Sequence, residues 1–260
     1  MANSGPFGRS LGCHQPFGST DRQGHYLHGP ITVIWRSAIG GVVGRGAGLR
    51  PEDVGGCAAN MSMREVLETI TGRRPQLALS STNLMLRIPE ATDFAEFVRV
   101  RRANAERLRP VEPTWARDAL SRSGFRRRLR HAQDLHQRQQ GLALFIFLKD
   151  TNKLIGGITL SWLDEGRPGT AMVGYWLDGA HEGQGLMKEG LMEVCRHAHG
   201  ACKIRRIEAA CLPENARSVK LLEACGFQRE GLARQYLNIN GAHRDHLLFA
   251  RLQADPPISE

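Results

Sequence analysis

The sequence has no apolar run long enough to cross a bilayer. The longest near the N-terminus, Ile31 to Val43, is interrupted by Arg36 and falls short of the ~20 residues that a spanning helix needs. No secretory leader is recognisable either. Met1 to Gly18 carries glycines and Arg9 where a basic start, an apolar segment and a small-residue cleavage site would stand. Cysteine is sparse and unpatterned: none of Cys13, Cys57, Cys195, Cys202, Cys211 and Cys225 forms a CxxC pair. Four of the six lie in apolar-patterned segments, where a reduced thiol packs as a small hydrophobe. These absences predict a cytoplasmic chain with no membrane contact. Cys195, His197, His199 and Cys202 sit close together, but His197 points to a different helix face from Cys195 and both cysteines fit the apolar side, so no metal is expected.

Acid is also in short supply. Against 35 Lys+Arg there are 26 Asp+Glu, which leaves a formal charge of +9. The surplus is clustered, with eleven arginines and only Glu106, Glu112 and Asp118 between Arg99 and Arg130. A hydrophobic content of 41% over 260 residues, with 12 prolines and 29 glycines, excludes collagen, coiled coil and disorder throughout, and is enough for a sizeable core.

The first sixty residues differ in kind. They hold thirteen of the glycines, no lysine, and only Asp21, Glu52 and Asp53 as acids. The default expectation is disorder. An organellar transit peptide is a second reading, although the glycines spoil an amphipathic helix. Composition becomes ordinary at Met61 and Met63, so upstream reading frame before an internal start is a third. The division expected is an N-terminal extension over 1–79, a folded domain over 80–253 and a tail over 254–260.

From Leu84 onward the pattern is regular. Leu84 to Ile88 reads as a strand. Asp93 with Glu96 caps a helix carrying Phe94, Phe97, Val98, Ala105 and Leu108, and a second helical stretch spans Thr114 to Gln140, broken near Gly124. Leu142 to Leu148 and Leu154 to Trp162 form a hairpin, and Ala171 to Leu177 is another strand. Met187, Leu191, Val194 and Ala198 then mark one face of a helix. Ile204 to Leu212 is a strand, Ala216 to Cys225 a short helix stopped by Gly226, and Asn240-Gly241 the turn between Leu232–Ile239 and His246–Leu252. This order of elements predicts an α/β sandwich.

Two segments carry chemistry. Tyr175 to Met187 runs from strand through Gly183-Gln184-Gly185 into a helix, where free N–H groups and the helix dipole suit a diphosphate. It is not a Walker loop, since no Lys-Ser/Thr follows Gly185, and it lacks the third glycine of the dinucleotide fingerprint. In the second segment, Arg206 to Phe227, a strand delivers Asn215 to a helix start as cap or ligand amide, with Ser218 one turn later.

These segments, with Gly174-Tyr175-Trp176-Leu177, Pro213 to Ser218, Gly226-Phe227 and Asp245-His246 in order, resemble the Gcn5-related N-acetyltransferases over roughly Leu84 to Leu252. The RimJ/RimL branch, which acetylates N-termini of ribosomal proteins, is the most similar. The resemblance implies a mixed, mostly antiparallel sheet flanked by helices, whose central strands Ala171–Leu177 and Ile204–Leu212 splay to admit the pantetheine arm of acetyl-CoA. It places the pyrophosphate on the backbone of Gly183, Gln184, Gly185, Leu186, Met187 and Lys188. Asn215 would contact the pantetheine or an ordered water, Ser218 would lie near the thioester sulfur, and a backbone N–H of the strand carrying Val173, Tyr175 and Leu177 would stabilise the oxyanion. Transfer would be direct, to the alanine α-amine of a ribosomal protein.

The chain departs from the family pattern. Glu182 stands where Gln or Arg is usual, Met187 where a small residue is usual, Leu222 in place of the tyrosine acid and Ala210 in place of the glutamate base. Glu208, two residues before Ala210 and on the same strand face, becomes the leading base, with Asp178 and His181 behind it and Ser218 as the proton donor. Pairing with Arg205 or Arg206 is the competing role for Glu208. An α-amine, with a reference pKa near 8, asks less of a base than lysine does.

The arginine cluster is either a solvated face or an aid to encounter with ribosome-bound protein and the CoA 3′-phosphate. With only Phe125 interleaved from Arg122 to Arg138, stacking on single-stranded nucleic acid is not supported. A small amine such as a polyamine or aminoglycoside, or a non-catalytic acetyl-CoA or rRNA module, are the other readings.

Overall fold

The computed structural model describes residues 77–163 and 167–256. The three readings of the N-terminal stretch, and the last residues of the expected tail, lie outside them.

One eight-stranded sheet organises the chain. Its strands are β1 (Ala78–Ser80), β2 (Leu84–Arg87), β3 (Gly141–Leu148), β4 (Leu154–Trp162), β5 (Thr170–Leu177), β6 (Arg206–Cys211), β7 (Gln228–Ile239) and β8 (Ala242–Leu252). They lie in the order β1-β2-β3-β4-β5-β6-β8-β7. All neighbours are antiparallel except β5 and β6. The helices are α1 (Phe94–Ala103), the single turn α2 (Ala105–Leu108), α3 (Arg122–Gln137), α4 (Leu186–Gly200) and α5 (Ala216–Ala224).

Alternation along the strands sends side chains to two cores. On one face Leu86, Ile146 and Ile158 pack with Leu191 and Val194 of α4 and Leu222 of α5. On the other, Phe145, Phe147, Leu154 and Trp176 pack with Phe97 of α1 and Phe125 of α3. In this second core Phe97 stacks on Phe145 at 5.5 Å, and Trp176 meets Phe145 edge-on at 6.4 Å. Trp176 lies across β4 because residue 157 has no side chain: a Cβ there would stand 2.6 Å from the indole Nε1 and 3.2 Å from the Leu144 carbonyl. Gly157→Val is therefore expected to cost about 1–3 kcal/mol, seen as a lowered melting temperature; an unchanged melt would mean the indole can move aside freely.

Three expectations need correction. β1 precedes the first expected strand, and its three residues owe their place to pairing with β2. The first helix stops at Ala103, because Asn104 turns its amide back onto the Val100 carbonyl (2.9 Å) and the chain restarts as α2. Thr114 to Ser121 is not helical: Ser121 caps α3 by accepting from the Gly124 N–H at 3.1 Å. The hairpin turn is as expected, with Asn240 and Gly241 at φ 49° and 89° and the Asn238 carboxamide accepting from the Gly241 N–H.

Candidate active site

The parallel pairing of β5 with β6 covers only Thr170–Arg206, Ala171–Ile207 and Met172–Glu208. Both strands continue, β5 to Leu177 against β4 and β6 to Cys211 against β8. The sheet is thus split in its middle from Val173 onward. The Leu163 N–H donates to the Thr170 carbonyl, which fixes the phase of β5. Thr170, Met172, Gly174 and Trp176 turn their backbone groups to β4, so those of Tyr175 face the split.

A cavity open to solvent fills this split. Val173, Gly174 and Tyr175 line one side and Ala209, Ala210, Cys211 and Leu212 the other. Asn215 and Ser218 close it on the α5 face. On the opposite face stand Leu108, Val111, Glu112 and Pro113, with Leu237, Ile239 and His246 of the β7–β8 hairpin. The cavity therefore passes through the sheet and can receive one reactant from each face.

At the α4 side, Gly183 and Gly185 take left-handed backbone, φ 73° and 76°, and Gly185 opens the helix. Chain neighbours aside, no atom of the described residues lies within 4 Å of where a Cβ would stand on either. The backbone N–H groups of residues 183–188 donate to no acceptor among the described residues, the first bond of the helix being Glu189 N–H to the Gly185 carbonyl. Open space above positive-φ glycines, with a row of free donors at a helix start, is the cradle a diphosphate needs. Leu186 and Met187 offer only their backbone, since their side chains are buried in the core. Gln184 bonds the Ala180 carbonyl at 3.2 Å, and Lys188 is half-buried.

Glu182, the unusual acid beside this loop, is neutralised by Arg107 of α2 and by Arg217 of α5 at 3.0 Å. The loop is held from below by Asn104, which accepts from the Gly179 N–H at 2.8 Å and donates to Asp178 at 2.8 Å. Burial alone would raise the Asp178 carboxyl, but hydrogen bonds from Asn104, the Ala180 N–H and His181 hold it below its usual value. Asp178 and His181 bond to each other at 3.2 Å, neither lines the cavity, and both serve the loop. Leu177 lies outside the cavity too, its carbonyl accepting from Arg107.

Glu208, the leading expectation for the base, does not line the cavity. It stands at the last paired position of β6, where the strands have not yet separated. Arg167 reaches both its oxygens at 2.9 Å, and Arg206 bonds one of them at 2.9 Å. The cavity is lined by Ala210 instead, and the Glu208 carboxylate is shared by two guanidinium groups. Leu222, in the place of the usual tyrosine, is fully buried in the core. Inside the cavity, however, the Tyr175 hydroxyl and Ser218 Oγ lie 2.6 Å apart, and Asn215 caps α5 by accepting from the Ser218 N–H at 3.2 Å. Burial raises the Tyr175 phenol, against the pull of Ser218, so it stays protonated.

Two lining residues had no site role in the sequence reading. Glu112 is buried and clamped by Arg101 through two bonds of 2.9 and 2.6 Å and by the Trp115 Nε1–H at 2.7 Å. His246 is buried with its Nδ1 2.9 Å from the Arg244 carbonyl. Only Asp245-His246 as a pair pointed to the second, and nothing local points to the first. Among the described residues no group of three or more His, Cys, Asp or Glu could hold a metal ion, and no helix is long and apolar enough to cross a membrane.

The mixed sheet is split beside a positive-φ glycine turn at a helix start, with the hydroxyls of Tyr175 and Ser218 in the gap. The comparisons with known proteins identify the family. The acetyltransferase (GNAT) domain profile matches residues 83–228, and the chain belongs to this family of N-acetyltransferases. A probable N-acetyltransferase of Bacillus subtilis, YjcK, is 33% identical over 177 residues, 68% of this chain and 98% of that protein. The [ribosomal protein uS5]-alanine N-acetyltransferase of Escherichia coli is 30% identical over 70% of this chain and 93% of its own length. Among solved structures, the ribosomal-protein-S5-alanine acetyltransferase of Vibrio fischeri superimposes with a TM-score of 0.64 at 28% identity, covering 69% of this chain and 98% of that one. RimL, an L7/L12 α-N-protein acetyltransferase solved with coenzyme A, gives 0.62 at 26% identity, covering 69% and 100%.

Proposed function

We propose that this N-acetyltransferase transfers the acetyl group of acetyl-CoA to the α-amine of a protein N-terminus, a ribosomal protein beginning with alanine being the first acceptor to test. The split between β5 and β6 carries this reading, because it opens a cavity lined from both faces of the sheet, by Asn215 and Ser218 on one and by Leu108, Val111 and Glu112 on the other. Acetyl-CoA, when bound, supplies an activated thioester. Backbone N–H groups of residues 183–188 would hold its diphosphate, and Asn215 would orient its pantetheine arm. The Tyr175 N–H, turned into the split, meets the carbonyl oxygen as negative charge builds. With Tyr175 donating to Ser218, the serine proton is free to pass to the departing sulfur. The C–N bond forms as the C–S bond breaks, leaving an acetylated amine and CoA thiol.

The charge of the cavity supports an α-amine over a polycation. The single acid in its lining, Glu112, is taken up by Arg101, while nearby Glu214 is taken up by Arg244 and Glu208 by Arg167 and Arg206. A polyamine or aminoglycoside needs unpaired carboxylates. Free thiols at Cys195, Cys202, Cys211 and Cys225 support a cytoplasmic, reducing location.

CoA release with peptides beginning Ala or Ser, set against spermidine and an aminoglycoside, tests the acceptor. The peptides are expected to react and the polycations not; the reverse would discard the α-amine. Ser218→Ala is expected to lower kcat roughly 10–100-fold with KM for acetyl-CoA little changed, the pattern of a group that acts on the leaving sulfur.

A further inference from the structure

His246 shares the cavity wall with Tyr175 and Ser218 but has no part in the chemistry so far derived. It stands on β8 one residue before Leu247, the partner of Cys211 where β6 ends, and so flanks the wide end of the split. Its ring nitrogens are unequal. Nδ1 faces the Arg244 carbonyl at 2.9 Å, and a carbonyl can only accept, so Nδ1 carries the proton and Nε2 the lone pair. Nε2 makes no hydrogen bond with the described residues and is not sealed from solvent, unlike the Nε2 of His199. The ring is also held in place: Tyr236 of β7 lies edge-on at 5.9 Å. Tyr236 belongs to a bulge between Ala233 and Leu237 that Asp245 pins by accepting from the Gln235 N–H at 2.8 Å.

We propose that His246 is the general base of the reaction, its Nε2 taking the proton from the acceptor amine as the nitrogen attacks the acetyl carbon. The proposal rests on the α-amine reading above and names the residue that the usual glutamate position, Ala210, and the arginine-bound Glu208 leave unfilled. The balance is simple: one proton moves from nitrogen to Nε2, the C–N bond forms, the C–S bond breaks, and the Tyr175–Ser218 pair protonates the sulfur.

The surroundings keep the imidazole neutral. Burial lowers its pKa from the usual value by more than the Arg244 carbonyl, Glu214 and Asp245 restore, and the Arg244 charge adds to the lowering. From β7 the Tyr236 ring lies against it and Ala233 pairs with it, and Tyr175 and Glu112, the latter held by Arg101, line the same cavity. A neutral base is thus present at neutral pH, although its reach for protons is modest.

The test is a pH profile of kcat/KM from about pH 5.5 to about pH 9 for the full chain and His246→Gln, with an alanine-starting peptide. Below the imidazole pKa two protons must leave, from His246 and from the amine, so the wild-type logarithmic profile is expected to have slope two there, slope one between the imidazole and amine pKa values, and to level off above the amine pKa. His246→Gln should show slope one everywhere below the amine pKa, with no slope-two region, and a loss of roughly 100-fold. Its acetyl-CoA thermal shift should be unchanged, and imidazole added to His246→Ala should restore part of the rate. A Gln variant within about threefold of wild type, or one that keeps slope two, overturns the proposal, as does a rate loss accompanied by loss of the acetyl-CoA shift. If wild type acetylates spermidine but no peptide, the acceptor reading fails instead, and the same variant is scored on spermidine.

Discussion

Gly183→Glu is expected to abolish the rise in melting temperature that acetyl-CoA gives the wild-type protein. Two terms add. The left-handed backbone at residue 183, φ 73°, costs a side-chain-bearing residue about 1–2 kcal/mol. A carboxylate within about 4 Å of a diphosphate charge adds about 4 kcal/mol per charge pair near a protein surface. Since about 1.4 kcal/mol is tenfold in affinity, the loss exceeds roughly 100-fold. Gly183→Ala separates the terms. It carries the backbone strain without the charge, and its Cβ enters space that, chain neighbours aside, holds no atom of the described residues. A modest loss of stability with most of the acetyl-CoA shift retained is expected of it. An unchanged shift in the glutamate variant would move the diphosphate away from this loop.

This loop was legible from sequence because its cause is local: two glycines, a strand before and an amphipathic helix after. β4 was legible for the same reason, its range Leu154–Trp162 following directly from its apolar pattern. β1 was not, since three residues are too few to show alternation. It is kept in place from outside, where α4 approaches: Glu189 accepts from the Ser81 hydroxyl at 2.7 Å and from the Asn83 N–H at 2.6 Å. The position of Glu208 relative to the cavity was hidden for a related reason. Glu208 and Ala210 share a face of β6, but strand separation after Met172–Glu208 opens the cavity at one and leaves the other closed. Where two parallel strands part depends on what packs above and below them, and no spacing within either strand records it. Arg167, which occupies Glu208, arrives from forty-one residues away.

Eleven residues separate the partners of the contact whose removal should cost most. Arg101 and Glu112 are each 3% exposed and meet through two parallel bonds, with the Arg101 guanidinium 4.2 Å from the Trp115 ring centroid and 5.0 Å from that of Trp176. Breaking such a buried pair by truncating one partner leaves an uncompensated charge, which costs about 3–5 kcal/mol. Glu112→Ala is expected to lower the melting temperature by about 10 °C, taking 2–4 °C per kcal/mol for a domain of this size. It also leaves the Trp115 indole N–H without its acceptor. The double variant Arg101→Met/Glu112→Leu removes both charges together and should recover most of the loss, because it is the isolated cation, not the missing bond, that is expensive. Function should divide in the same way. Glu112 forms the acceptor-side wall with Leu108, Val111 and Pro113, away from the cradle on α4. At a temperature where Glu112→Ala is still folded, KM for the peptide should rise while the acetyl-CoA shift persists. A drop below about 1 kcal/mol in the single variant would show that water reaches Arg101 once the carboxylate is gone, and that this wall is held by the apolar residues alone.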